Sequence, residues 1–76
     1  MIELQIDITD LEDAKNANNG VLIGSIAATA KEVLESSGRV IIKRSYCNAP
    51  DDIFRVYTSA EAFEKDWNQW FGSTSA

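Results

Sequence analysis

The chain has 76 residues, of which 45% are apolar and 25% charged, and its formal net charge is −5. This composition is typical of one small globular domain and excludes a disordered chain. The acidic balance disfavours a general nucleic-acid binder, because phosphate contacts need an excess of Lys and Arg. A single cysteine and no histidine exclude an internal disulfide, imidazole catalysis and the usual zinc sites. We therefore expect a cytoplasmic protein that is not an enzyme, holds no cofactor and does not contact a membrane.

The first half of the chain predicts one strand and two helices. Apolar and polar residues alternate throughout 2–9, which is the period of a half-buried strand. Thr9 and Glu12 then match a capping box, which predicts that a short helix begins at Thr9. Apolar residues recur at intervals of three and four in 21–37, so a longer helix is expected there, with Gly38 as its left-handed C-cap.

The second half predicts a hairpin and a final helix. Residues 39–46 and 53–57 alternate as strands do, and the turn-forming segment 47–52 separates them. A second capping box at 58–61 predicts the start of the last helix. The apolar stripe of this helix consists of Ala60, Phe63, Trp67, Trp70 and Phe71. Among them, Trp67 is expected in the core, packed on Phe54 and Val56.

Together these elements predict an α+β fold in the order β-α(α)-β-β-α. We expect a three-stranded antiparallel or mixed sheet with the helices packed on one face. A crossover between the first two strands leaves space for the third strand between them, so the expected sheet order is 1-3-2. The domain is expected to span 1–72, followed by a flexible tail at 73–76.

One face of the predicted sheet is a candidate binding surface for a protein partner. We expect the helices to be faced by Val40, Ile42, Phe54 and Val56. The residues that alternate with these along each strand then lie together on the opposite face. Those residues are Arg39, Ile41, Lys43, Ile53, Arg55 and Tyr57. Cations and an aromatic residue among apolar neighbours are typical of a recognition surface. The alternative is an ordinary solvent-exposed side of a two-layer fold.

The predicted helices carry a second candidate surface. Their water-facing carboxylates include Glu32, Glu35, Glu61 and Glu64. Such a surface suits a basic groove, for which a nucleic-acid-binding host complex is one candidate partner, although exposed carboxylates also serve solubility alone. Trp70, at the end of a crowded aromatic stripe, is a candidate anchor for a partner.

The segment Gly20-Val-Leu-Ile-Gly24, followed by an amphipathic helix and by the glycine and strand at 38–43, resembles the core of a KH domain. In that family a Gly-x-x-Gly loop opens a helix and clamps a nucleic-acid backbone. The resemblance implies a degenerate KH-like nucleic-acid-binding domain as the alternative function. Here Ala27 stands in place of the second loop glycine, and the loop has no Lys or Arg.

The acidic, histidine-free chain with its Trp-rich final helix also resembles small phage-encoded inhibitors, including anti-CRISPR proteins. This resemblance implies a non-enzymatic binder in the host cytoplasm that blocks a host protein machine by occupying its surface. We expect a monomer or homodimer that makes no direct contact with nucleic acid. A structural subunit that dimerises through its open sheet face is a further possibility.

Overall fold

The computed structural model describes residues 2–71, which form three helices and one three-stranded mixed sheet. The elements are β1 (Glu3–Asp7), α1 (Ile8–Asn16), α2 (Gly20–Glu35), β2 (Arg39–Arg44), β3 (Asp52–Tyr57) and α3 (Ala60–Phe71). This order confirms the predicted α+β fold with its helices on one face of the sheet. The domain end predicted at 72 and the flexible tail predicted at 73–76 lie outside the described residues.

The central strand of the sheet is β2, which pairs parallel to β1 and antiparallel to β3. The predicted hairpin of β2 and β3 is therefore confirmed, whereas the predicted sheet order 1-3-2 is wrong. The parallel register sets Leu4 beside Val40 and Ile6 beside Ile42, so the apolar side chains of β1 and β2 form one continuous face. Because β1 occupies one edge of β2, the hairpin can place β3 only on the other edge.

The N-caps of α1 and α3 are not the residues that the two capping boxes predict. Asp7 caps α1, since its carboxylate accepts a hydrogen bond of 2.8 Å from the Thr9 N–H. This bond stabilises the ionised carboxylate and holds the pKa of Asp7 below its ordinary value. At α3 the hydroxyl of Ser59, rather than that of Thr58, accepts from the Ala62 N–H at 3.4 Å. Both strand ends thus supply an acceptor next to the first helical turn, which is the geometry that capping requires.

The end of α2 differs from the expected glycine cap. Ser37 adopts the left-handed conformation, with φ 64°, and Gly38 follows it. Gly38 is needed for space: a Cβ atom at this position would lie 2.5 Å from the Ile2 carbonyl oxygen and 2.6 Å from Cγ1 of Val33. The Gly38 N–H donates to the Val33 carbonyl at 2.8 Å, which draws the chain tightly against the end of the helix.

The core lies between the helices and the sheet, and it confirms the predicted apolar stripes of α2 and α3. Its buried apolar residues are Ile6, Leu11, Ala30, Leu34, Val40, Ile42, Tyr57, Phe63 and Trp67. Helix α2 contacts both α1 and α3. Trp67 packs on the rings of Phe63 and Phe71, at centroid distances of 5.2 and 4.5 Å.

The orientation predicted for β3 is wrong at Arg55, Val56 and Tyr57, whereas Ile53 points away from the helices as expected. Tyr57 pairs with Val40 and is buried in the core, whereas Phe54 and Val56 are 47% and 52% exposed. A β-bulge opposite Ile42 and Lys43 inserts Phe54 into the strand and resets its alternation. Ile53 and Val56 therefore both point away from the helices, so Trp67 cannot pack on Val56 as expected. Phe54 lies beside Arg44 and outside the core, so it is not the expected partner of Trp67 either.

Candidate functional site

One face of the sheet lies opposite the helices, and we call it the open face. The register places Glu3, Gln5, Arg39, Ile41, Lys43, Ile53 and Val56 on it. Ile41 is half-buried and lies directly across from Val56, while Ile53 and Val56 are more than half exposed. These three side chains form the apolar centre of the open face. Contiguous exposed apolar side chains of this kind are typical of interaction surfaces.

The two cations of the open face are paired within the chain. The Arg39 guanidinium contacts the Glu3 carboxylate at 2.5 Å, and the Lys43 ammonium lies 2.7 Å from the Asp51 carboxylate. Hydrogen bonds from Gln5 and Arg39 hold the pKa of Glu3 below its ordinary value, so the first pair is fully ionised at neutral pH. The open face therefore offers an apolar centre between two neutralised ends, and it lacks the basic character that the sequence predicted.

Tyr57 and Arg55 do not lie on the open face, contrary to the sequence-based expectation. The Tyr57 hydroxyl donates to the Asp66 carboxylate at 2.7 Å, and its ring meets that of Phe63 edge-on at 5.5 Å. Burial, together with the bond to Asp66, raises the pKa of Tyr57. Asp66 is half-buried where it accepts this bond. Arg55 pairs with Ile42, so it lies on the helical side, where its side chain is exposed.

The hairpin end carries a second cluster on the helical side. The Arg44 guanidinium lies 3.2 Å from the Glu12 carboxylate of α1 and 6.0 Å from the centroid of the Phe54 ring. Sequence reasoning missed this cluster, because Glu12 and Arg44 lie 32 residues apart in the chain and meet only where α1 packs against β2. The Arg44 Nε is buried and has no hydrogen-bond partner among the described residues.

The predicted acidic surface is exposed, as expected for water-facing helix positions. Glu32 and Glu35 on α2, and Glu61 and Glu64 on α3, all lie at the surface. A long contact of 3.9 Å joins the Lys31 ammonium to Glu64. An exposed pair at this distance contributes little to stability, so these carboxylates remain open to a partner.

Trp70 is half-buried and forms one wall of a groove between α1 and α3. The groove has a volume of about 220 Å³ and is lined by Ile8, Leu11, Glu12, Lys15, Ile42, Trp70 and Phe71. The Lys15 ammonium donates to the Trp70 carbonyl oxygen at 3.2 Å and so connects the two helices. The Trp70 ring packs edge-on against Tyr57 and Trp67, at 6.5 and 6.4 Å. Its role as a partner anchor stays a prediction.

The glycines that resemble a KH loop both lie inside α2, since this helix begins at Gly20 and continues through Gly24. Within residues 2–71, no helix combines the length and apolar character that crossing a bilayer requires. The same residues contain no group of three acidic or cysteine side chains placed to hold a metal ion. Cys47 is an exposed free thiol in the turn between β2 and β3.

Comparisons of this chain with protein-family models, with curated proteins and with solved structures found no match. Its function is therefore inferred from the side chains of the open face, the acidic helices and the groove.

Proposed function

We propose that the chain is a non-enzymatic protein-binding module whose contact surface is the open face. The observation that carries this proposal is the apolar centre, in which Ile53 and Val56 stay more than half exposed on a paired sheet. Paired charges border this centre on β1, on β2 and in the turn before β3. An apolar centre within a polar rim is the usual anatomy of a protein–protein contact.

The expected partner is a protein with an exposed apolar surface. Arg39 and Lys43 are already neutralised, so the open face gives no electrostatic preference for an acidic partner or for nucleic acid. The resemblance of the sequence to small phage-encoded inhibitors supports an inhibitory role, in which the module occupies the surface of a host protein machine. The acidic surface of α2 and α3 is the competing contact for such a target.

The test is capture of partner proteins from host lysate by immobilised chain, quantified by mass spectrometry across matched variants. Ile41→Lys and Ile41→Thr alter the apolar centre without touching an edge strand, and the threonine variant keeps a β-branched side chain. The double variant Glu32→Lys with Glu35→Lys alters the acidic surface instead. Val21→Lys is the control for a general effect of added charge, because Val21 is 86% exposed on α2.

We expect at least one host protein to be captured equally by the parent chain and by Val21→Lys. The same protein should no longer be captured by either Ile41 variant. Its direct contact is then measured with purified proteins, where the Ile41 substitutions should raise the dissociation rate. Loss of this protein only in the glutamate double variant would assign the contact to the acidic surface and overturn the proposal. Retention in every variant would also overturn it.

A further inference from the structure

The outer edge of β1 carries backbone groups that no strand of residues 2–71 pairs. In the sheet order β1-β2-β3, strand β1 has a neighbour only on its β2 side. On that side the Arg39 N–H donates to the Ile2 carbonyl at 2.9 Å, and Arg39 pairs with Glu3 in parallel register. Successive residues of a strand direct their N–H and C=O groups to opposite edges, so Glu3 and Gln5 direct theirs outward. An edge of this kind is a template for another strand.

A groove follows this edge between β1 and α2, and we call it the edge groove. It has a volume of about 230 Å³. Its lining residues are Leu4, Gln5, Ile6, Asp7, Asp10, Ser25, Ile26 and Thr29. The four residues from β1 are consecutive, although successive side chains of a strand point to opposite faces of the sheet. A groove that contacts all four must therefore run along the backbone edge of β1.

The outward backbone groups select an extended peptide as the occupant of the edge groove. Glu3 and Gln5 each offer one donor and one acceptor at the spacing of a strand, and a partner strand satisfies them in alternation. The edge groove is too small to enclose a drug-sized ligand. It suits the side chains that an added strand turns toward α2. There they meet Leu4 and Ile26, which are both half-buried, so these side chains are expected to be apolar.

The edge groove is negatively charged at the end where β1 meets α1. Its charged lining residues, Asp7 and Asp10, are both acidic. The Asp7 carboxylate accepts hydrogen bonds from the backbone N–H groups of Thr9 and Ser45, at 2.8 and 3.3 Å. Asp10 is exposed and has no ion-pair partner within residues 2–71. This end of the edge groove therefore favours a basic side chain on the added strand.

We propose that the outer edge of β1 binds an extended protein segment as a fourth, antiparallel strand with a basic residue beside Asp7 and Asp10. Antiparallel pairing is expected because it is the slightly more stable pairing per residue. Facing residues share one side of the sheet, so the residues opposite Ile6 and Leu4 lie on the helical side and are apolar. From its N-terminal end, the partner strand then reads basic, apolar, polar, apolar. The edge groove does not include the apolar centre of the open face, so this inference does not rest on the proposed function.

The probe is the peptide acetyl-Lys-Val-Thr-Val-Thr-amide, which has this pattern. It is added to the isotope-labelled chain while amide chemical shifts and hydrogen exchange are recorded by NMR. The shifts should saturate and should be largest along β1 and near Ile26. At saturation the Gln5 amide should exchange about tenfold more slowly, because the added strand accepts a hydrogen bond from it.

Two control peptides separate the contributions of the backbone and of the charge. N-methylation of the central threonine removes the donor that faces the Gln5 carbonyl, and it should weaken binding about tenfold. Replacement of the peptide lysine by glutamate converts an attraction to Asp7 and Asp10 into a repulsion, and it should weaken binding about fivefold.

Asp10→Asn should weaken binding of the lysine peptide about threefold. Asp13→Asn is the matched control, because Asp13 is exposed on the same helix but does not line the edge groove, and it should leave binding unchanged. Ile41→Thr should also leave it unchanged, which separates this site from the open face. The proposal is overturned by shifts that never saturate or that centre on Ile53 and Val56, by equal binding of either control peptide, or by equal effects of the two aspartate variants. Shifts along β1 that depend on chain concentration without peptide would assign the edge to a second copy and also overturn it.

Discussion

Gly38 lies where the chain leaves α2, and neighbouring atoms crowd it on the side where a side chain would project. An added Cβ would meet the carbonyl oxygens of Ile2 and Val33 as well as Cγ1 of Val33. Two of these atoms belong to the backbone and cannot rotate away. Gly38→Ala should therefore lower the free energy of unfolding by about 1–3 kcal/mol, as overpacking usually does. Urea denaturation followed by circular dichroism measures this change.

Gly24 is the matched control for this prediction. It lies within α2, and beyond its own helical turn and chain neighbours no atom comes within 4 Å of the position where its Cβ would be. Gly24→Ala should raise the free energy of unfolding by about 0.5–1 kcal/mol, because alanine loses less backbone entropy in a helix. A destabilised Gly24→Ala, or a Gly38→Ala as stable as the parent, would contradict the packing described at these two glycines.

The buried hydroxyl of Tyr57 makes stability depend on pH in the alkaline range. Burial and the Asp66 hydrogen bond raise its pKa above the ordinary value of 10.0, so the folded state holds this proton more tightly than the unfolded state. The stabilisation is complete below pH 10 and is lost as the pH rises through the folded-state pKa. Tyr57→Phe, which removes the bond, should cost about 1 kcal/mol at neutral pH.

Urea unfolding of the parent and of Tyr57→Phe, from neutral pH to above pH 10, tests this linkage. The difference in the free energy of unfolding between the two proteins should shrink at the alkaline end. A constant difference across the whole range would show that the Tyr57 proton is not held more tightly in the folded state.

The elements show why the helices were predictable and β3 was not. In α3 and at the end of α2 the apolar stripe contrasts with the charged positions between, so Ala30, Leu34, Phe63 and Trp67 could be placed from the sequence. In β3 both alternations contain aromatic and β-branched residues, and the bulge that decides between them leaves no signal in the sequence. The strand therefore packs Tyr57 inward and exposes Val56.

Two valines on adjacent strands test this orientation at the level of the sheet. Val40 is fully buried under the helices, and Val56 is about half exposed on the open face. Val40→Thr buries a hydroxyl in the core and should cost about 1–3 kcal/mol, whereas Val56→Thr should change the free energy of unfolding by less than about 0.5 kcal/mol. Thermal or urea unfolding of both variants measures these two changes in the free energy of unfolding. Equal losses would mean that Val56 packs in the core after all.

The whole molecule pairs most of its basic strand residues with its own carboxylates. Arg39, Lys43 and Arg44 each contact an acidic side chain, in a chain with a net charge of −5. We therefore expect no binding to single-stranded RNA or DNA at physiological salt, measured by fluorescence anisotropy of labelled oligonucleotides. A salt-sensitive complex that substitution of Gly24 or Ser25 weakens would favour the KH-like alternative.

The candidate site was predictable only in part, for reasons that concern the whole sheet. Ile41 and Ile53 were expected on the open face and lie there, because the alternation of β2 and the first residue of the predicted third strand were interpreted correctly. The neutralisation of Arg39 could not be foreseen, since Glu3 reaches it only when β1 lies beside β2. The expected sheet order would have separated these two residues.

The central claim is that Ile41, Ile53 and Val56 form an exposed apolar centre on the open face. The most direct test is methyl NMR with a soluble paramagnetic agent, which weakens the signals of methyl groups that solvent can reach. The structure predicts strong attenuation at Ile53 and Val56, intermediate attenuation at Ile41, and protection at Val40 and Ile42. Protection of Val56 or Ile53, at a level similar to that of Val40, would contradict the claim.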